Sequence, residues 1–299
     1  MESKHHFLKQ YLHLHFIIVL LGFTAIIGAL ISLNATDLVW YRMLFSFVGL
    51  GVFLWWKKIN ILLRVNDLLI LFGIGLVVAA HWITFFHAIK VSNVSVTLGV
   101  FASTTLFTSF IEPLLQKRRI LLLEVLIGLL TVVGIYIIFQ FEFRYVEGIM
   151  FSLLSAMLNA LFVVLNRNIS RKHNSSVIGF YEMAGGFLCI TFFLLLTGQT
   201  NAFSFGLSSS DLFWMLILSM LCTAYAFTAI VYIMRTLSAY TVVLSINLEP
   251  VYGIIMAYFL FPSTEKMTPG FYAGASIIVL AVFLYPVLKR KYRPERTQA

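Results

Sequence analysis

Ten stretches of nearly continuous apolar residues follow one another along the chain, separated by short polar segments. Each stretch holds about 20 residues, the length that an α-helix needs to cross the hydrocarbon core of a bilayer. Apolar and polar residues do not alternate as they would in the strands of a membrane barrel. The pattern therefore predicts ten membrane-spanning helices, at positions 12–33, 37–56, 67–89, 93–115, 120–140, 146–166, 175–197, 211–234, 240–260 and 268–288.

The composition argues against the soluble classes of protein. Of the 299 residues, 61% are hydrophobic and 11% are charged, and the mean hydropathy is +0.96. A soluble protein of this size needs many more charged residues on its surface, so a soluble enzyme, a nucleic-acid-binding domain and a disordered chain are poor interpretations. Both cysteines, Cys189 and Cys222, lie in apolar stretches, so we expect no CxxC metal or redox site and no cofactor.

The basic residues mark the predicted orientation in the membrane. With the N-terminus in the cytoplasm, 17 of the 21 lysines and arginines fall in inside segments and 3 fall in outside loops, while Arg42 lies within a span. Cytoplasmic loops of membrane proteins carry such an excess of positive charge. The distribution predicts ten spans with both termini cytoplasmic, in a plasma membrane that we expect to be the inner membrane of a bacterium.

The two halves of the chain resemble each other at a nearly constant offset. Asp67-Leu68 returns as Asp211-Leu212 after 144 positions, and Tyr41-Arg42-Met43 corresponds to Tyr181-Glu182-Met183 after 140 positions. This offset equals five predicted spans. Because five is odd, the second half would enter the membrane from the opposite side.

The resulting fold class is an all-α polytopic membrane protein of two inverted five-helix repeats, residues 1–145 and 146–299. Inverted repeats are typical of transporters whose substrate site lies near the middle of the membrane, between the halves. Rocking of the halves against each other would open this site to one side at a time.

Charged side chains inside predicted spans are costly, so each needs an explanation. Glu249 lies near the middle of the ninth span, beside Pro250, and is either a cavity carboxylate for a substrate amine or a proton, or a structural hydrogen-bonding group. Arg42 could bind a substrate carboxylate, but we favour extension to the outer interface or pairing with Asp37. We expect Glu182, its counterpart in the repeat, to be a paired residue at the inner rim.

Further polar and aromatic residues are predicted near the middle of the membrane. They could line the same cavity for a small zwitterion or aromatic compound, or they could form hydrogen bonds between helices. These candidates are His81, Trp82, Thr84, Tyr225, Asn159 and Asn247.

Two sets of short motifs carry a resemblance to a known family. The first half contains His87–Ser92 and Ala102–Phe107, and the second contains Leu248–Tyr252, with Glu249-Pro250, then Glu265–Thr268 and Gly274-Ala275. In these motifs the chain resembles the EamA family of the drug/metabolite transporter superfamily over nearly its whole length. One departure is Thr105, where many relatives have proline, which leaves a helix break there open.

The resemblance implies ten helices around a central cavity and the export or exchange of small, often amino-acid-like metabolites. We therefore expect a secondary transporter rather than an enzyme, with a small-molecule substrate and protons as a candidate coupling ion. A membrane-embedded enzyme or a flippase for a lipid-linked substrate is the alternative. Gly270 and Gly274 form a GxxxG motif that favours close helix contact, within one chain or between two, so the sequence assigns no oligomeric state.

Overall fold

The computed structural model describes residues 2–117, 122–169, 172–199, 201–233, 246 and 248–292, and within them it is helical without strands. A π-helical segment covers Met220–Tyr225, and short 3₁₀ turns cover Phe143–Tyr145 and Asn201–Ser204. The α-helices are α1 Glu2–Leu30, α2 Ala35–Trp56, α3 Val65–Val91, α4 Val94–Phe101, α5 Thr104–Gln116, α6 Leu122–Phe141, α7 Val146–Ile169, α8 Ser175–Thr197, α9 Ser209–Ser219, α10 Ala226–Ile233, α11 Glu249–Leu260 and α12 Pro269–Tyr292.

Eight helical segments in the described residues are long and apolar enough to cross a membrane, and they match the first eight predicted spans. The last two predicted spans correspond to shorter apolar helices, Glu249–Leu260 and Pro269–Ala281. Proline is well tolerated in the first turn of a helix, and α11 begins at Glu249 with Pro250 in that turn. Most of the predicted ninth span before Glu249 lies outside the described residues.

The helices pack in pairs that connect the two halves of the chain. Helix α3 lies against α7 and α8, α2 lies against α8, and α6 lies against α12. Helix α4 contacts α7 and α11, while α1 contacts α9, α10 and α11. The helices of each half therefore bury much of their surface against helices of the other half.

Glycines allow two of these helix pairs to touch backbone to backbone. A Cβ atom added to Gly274 in α12 would lie 2.7 Å from the carbonyl oxygen of Gly134 in α6, and one added to Gly134 would lie 2.8 Å from that of Gly274. In the same way, a Cβ on Gly186 in α8 would lie 2.8 Å from the carbonyl oxygen of Gly75 in α3. The GxxxG motif at Gly270 and Gly274 thus has its contact within the chain.

Buried carboxylates hold the start of two helices. Glu265 accepts hydrogen bonds from the backbone N–H groups of Val94 at 2.9 Å and Ser95 at 2.8 Å, at the N-terminus of α4. Glu142 accepts one from the backbone N–H of Thr268 at 2.9 Å, just before α12. The first N–H groups of a helix have no partner within it, so these carboxylates satisfy donors that lipid could not.

The two aspartates that correspond in the repeat make corresponding contacts. Asp211 in α9 accepts hydrogen bonds from the backbone N–H of Ser32 at 2.7 Å and from its hydroxyl at 2.6 Å, and Ser32 lies between α1 and α2. Asp67 in α3 lies 2.9 Å from Nε2 of His173, between α7 and α8. Each aspartate therefore contacts the connection between the first two helices of the opposite half.

Candidate functional site

A helix interruption in the first half of the chain and a helix start in the second half meet at a small cavity. Helix α4 ends at Phe101 and α5 begins at Thr104, while α11 begins at Glu249. The cavity has a volume of about 60 Å³. Its lining among the described residues consists of Phe101, Ala102, Thr104, Asn159, Ile246, Glu249, Pro250 and Val279.

The break between α4 and α5 forms without a proline, which resolves the question that Thr105 left open. The backbone N–H of Ser103 bonds to the carbonyl of Val100 at 3.0 Å, so the chain tightens at this point. The hydroxyl of Thr104 donates to the carbonyl of Phe101 at 2.8 Å. Serine and threonine hydroxyls compete with the backbone for its own hydrogen-bonding groups, and here they accompany the end of the helix.

Glu249 and Asn159 supply a carboxylate and an amide to the cavity, as two of the predicted site residues. The backbone of Glu249 lies against α1, because a Cβ on Gly22 would come within 3.2 Å of its carbonyl oxygen. Arg42 on α2 is buried as well, so the described spans contain a buried cation in addition to the carboxyl group at the cavity.

The structure corrects the favoured interpretation of Arg42, which neither extends to the interface nor pairs with Asp37. Its side chain is only 3% exposed, and Nε donates to the hydroxyl of Thr223 at 2.9 Å. Its Cζ lies 3.6 Å from the centroid of the Trp82 ring, and Phe86 is also near. The ring of Trp82 thus stacks on a buried cation.

The π-helical segment Met220–Tyr225 presents Thr223 to Arg42. The hydroxyl of Thr223 also donates to the carbonyl of Leu218, five residues earlier, at 2.8 Å. Such π segments occur frequently at functional sites, because they turn one side chain out of the regular helical register. Thr223 was not among the predicted site residues, because its only signal in the sequence is a hydroxyl within an otherwise apolar stretch.

His81 and Thr84 have their polar atoms engaged within the protein. Nδ1 of His81 lies 2.9 Å from the hydroxyl of Ser155 in α7, and its ring stacks on Phe101 at 5.5 Å between centroids. The hydroxyl of Thr84 donates to the carbonyl of Ala80 in its own helix at 2.8 Å. For His81, this matches the alternative of hydrogen bonding between helices.

Tyr225 lies apart from His81, although the two residues correspond in the repeat. Tyr225 is 38% exposed, and its hydroxyl is hydrogen-bonded to Nε2 of His13 in α1. His81 in turn bonds to α7, the first helix of the second half. The two residues therefore make corresponding contacts in opposite halves instead of sharing one cavity.

Two predicted positions remain to be placed. Asn247 lies outside the described residues. Glu182 is fully buried and hydrogen-bonded, and its partner is a neutral amide, since Asn166 Nδ2 donates to Glu182 Oε1 at 2.8 Å. Among the described residues, no group of three or more His, Cys, Asp or Glu side chains could hold a metal ion.

The apolar helices and the buried polar centre define a multi-pass α-helical membrane protein with a duplicated architecture. The model of the EamA-like transporter family matches the chain twice, over residues 11–140 and 146–285. The chain belongs to the EamA-like transporter family.

Comparison with known structures agrees with this fold. One protein of known crystal structure matches 94% of this chain and 98% of its own length, with a TM-score of 0.64 and 15% sequence identity. At this level of identity the similarity concerns the fold alone. No curated protein matches the chain.

Proposed function

We propose that the chain is a secondary transporter that exports or exchanges small amino-acid-like metabolites across the plasma membrane by alternating access. The observation that carries the proposal is the cavity beside Glu249, where an interrupted span of one half meets the helix start of the other. In secondary transporters, discontinuous helices commonly form the substrate site at the interface of the repeats. A gradient of protons or of the substrate itself would drive the movement.

The architecture that we propose has ten spans, in inverted repeats 1–145 and 146–299 with both termini cytoplasmic. The corresponding contacts of Asp67 and Asp211 support it, since each aspartate reaches into the other half. The reciprocal contact of Gly134 and Gly274 also supports it, because α6 and α12 are the last helices of their halves. Helices related by a twofold axis meet at equivalent residues in this way.

The charges of the site fit a substrate with an ammonium group and a carboxylate. Glu249 would bind the ammonium group, Asn159 would add hydrogen bonds, and Arg42 on Trp82 would attract the carboxylate. The described cavity of about 60 Å³ is far smaller than a typical small-molecule site of about 300–1,000 Å³, so the halves must separate to admit substrate.

A metabolite comparison between deletion and overexpressing cells identifies the substrate, and uptake into liposomes containing the purified protein then measures transport. Glu249→Gln removes the charge while keeping the shape, and we expect it to reduce the initial rate about tenfold or more, as for the loss of a charged hydrogen bond. Glu147→Gln is the matched control, because the side chain of Glu147 is 61% exposed. We expect the control to transport at the rate of the unmodified protein.

Two outcomes would contradict the proposal. Equal transport by the Glu249→Gln and Glu147→Gln variants would remove Glu249 from the site. Turnover of a substrate by protein in detergent, without a vesicle to separate two compartments, would favour a membrane-embedded enzyme instead.

A further inference from the structure

A second buried carboxyl group lies outside the cavity of Glu249. Glu182 in α8 is fully buried, and Asn166 in α7 is nearly so. One hydrogen bond joins them, from Asn166 Nδ2 to Glu182 Oε1 at 2.8 Å. The other two oxygen atoms of the pair, Glu182 Oε2 and Asn166 Oδ1, are buried acceptors that have no hydrogen-bond partner in the described part of the chain.

The described residues around this pair bury it and supply no ion partner. A Cβ on Gly75 in α3 would clash with the carbonyl oxygen of Glu182 and would lie 2.9 Å from the backbone nitrogen of Gly186, so the two backbones touch here. Among the described residues, the side chain of Glu182 forms no ion pair and accepts one hydrogen bond, from a neutral amide. An ionised carboxylate in such a place would be a buried charge without compensation.

Two of the charged groups on the helices around Glu182 have other described contacts. Arg42 on α2 bonds to Thr223 and stacks on Trp82, and Asp67 on α3 contacts His173. The remaining titratable groups on these helices are Asp37 and Tyr41 on α2, His81, His87 and Lys90 on α3, Glu147 and Arg167 on α7 with Tyr145 just before it, Tyr181 and Cys189 on α8 itself, and Tyr232 on α10.

A single proton would change the chemistry of both unpartnered oxygens. Placed on Oε2, it would convert a buried acceptor into a donor, and Asn166 Oδ1 is an unpartnered acceptor on the side chain that already bonds to Oε1. A carboxylic acid and a primary amide pair in this way through two parallel hydrogen bonds. The existing bond from Asn166 Nδ2 to Oε1 already forms one side of that ring.

We propose that Glu182 and Asn166 form a proton-binding site separate from the substrate cavity, and that this proton is the one exchanged in the transport cycle. This inference rests on the proposed function for its second part only. The proton sits between α7 and α8, and α8 packs on α2 and α3, which carry Arg42 and Trp82. Loss of the proton leaves a buried anion, which favours a movement that opens this junction to water.

Infrared spectroscopy of the whole protein in lipid nanodiscs tests the proton itself. At neutral pH we expect the C=O stretch of a hydrogen-bonded carboxylic acid, which disappears in Glu182→Gln and remains in Glu249→Gln. Asn166→Leu should shift this band to the frequency of a free acid, because it removes the amide partner. That shift also tests the site if Glu182→Gln fails to fold.

Two results in the spectra would overturn the site. One is the absence of any carboxylic acid band that depends on Glu182. The other is loss of the band when sodium chloride replaces choline chloride at constant pH, which would assign the site to an alkali cation. Failure of transport in liposomes with the band intact would instead count against the proposed function.

Labelling of Cys222 tests the role of the proton in the cycle. Cys222 is buried in the π-helical segment beside Arg42, and Cys189→Ala leaves it as the single thiol. The rate at which Cys222 reacts with a maleimide is divided by its rate in denaturant at the same pH, which corrects for ionisation of the free thiol. We expect this corrected rate to change severalfold with pH. In Glu182→Gln this corrected rate should not change with pH, whereas an unchanged pH profile in that variant would overturn the coupling role.

Discussion

An aromatic ring and a hydroxyl, rather than a carboxylate, are the direct contacts of the buried guanidinium of Arg42. Such a stack suits arginine, whose planar group is more weakly hydrated than the ammonium of lysine. The sequence predicted Glu249, Asn159 and Trp82 as polar or aromatic groups at the middle of the membrane, because charge there is costly. It did not predict the stack, which depends on the rotation of α2 relative to α3.

Replacement of Trp82 by leucine should destabilise the protein more than the same change at another tryptophan. The cation–π contact with Arg42 is desolvated, so its loss should cost about 2 kcal/mol beyond the loss of apolar area. Trp214→Leu is the control, because the rings near Trp214 are those of Phe23 and Phe213. Thermal unfolding in detergent micelles measures both variants, and equal losses would show that the stack contributes nothing.

Helices begin and end in this protein where hydroxyls, carboxylates and proline meet the backbone. Hydropathy predicted the first eight spans, since each apolar run is as long as the membrane is thick. The break after Phe101 and the π segment at Met220 did not follow from hydropathy, which does not report local hydrogen bonds such as those of Thr104 and Thr223. The GxxxG motif predicted a close contact between helices, but it did not predict which residue each glycine would contact.

The contact between α6 and α12 should be sensitive to one methyl group. In Gly274→Ala the added Cβ would lie 2.7 Å from the carbonyl oxygen of Gly134, so the helices must separate, at a cost of about 1–3 kcal/mol. Gly73→Ala in α3 is the control, because an added Cβ there meets nothing within 4 Å. We expect the control to unfold at the same temperature or slightly higher, as alanine favours helices. A similar fall in both variants would refute the close crossing.

Contacts between helices of opposite halves hold the whole molecule together. The sequence predicted a repeat from its constant offset, and the family model matches twice in agreement with a duplication. Which helices would pair could not be predicted, because apolar surfaces are equally compatible with lipid and with one another. Only the folded chain shows that Asp67 and Asp211 each reach the other half.

The proposed orientation can be checked with two cysteines on opposite faces. In a background without Cys189 and Cys222, a reagent that does not cross membranes should label Lys266→Cys, between α11 and α12, in intact cells. Lys57→Cys, which follows α2, should be labelled only after the cells are made permeable. Labelling of both sites from the same side would contradict ten spans with cytoplasmic termini.

The residues at corresponding positions differ in chemistry, with a cation, Arg42, in one half and an acid, Glu182, in the other. In the proposed alternating-access cycle, two identical halves would give the outward-open and inward-open forms the same free energy. A cation in one half and an acid in the other remove that degeneracy. The two forms would therefore be unequally populated at rest, while the gradients across the membrane alone set the direction of net flow.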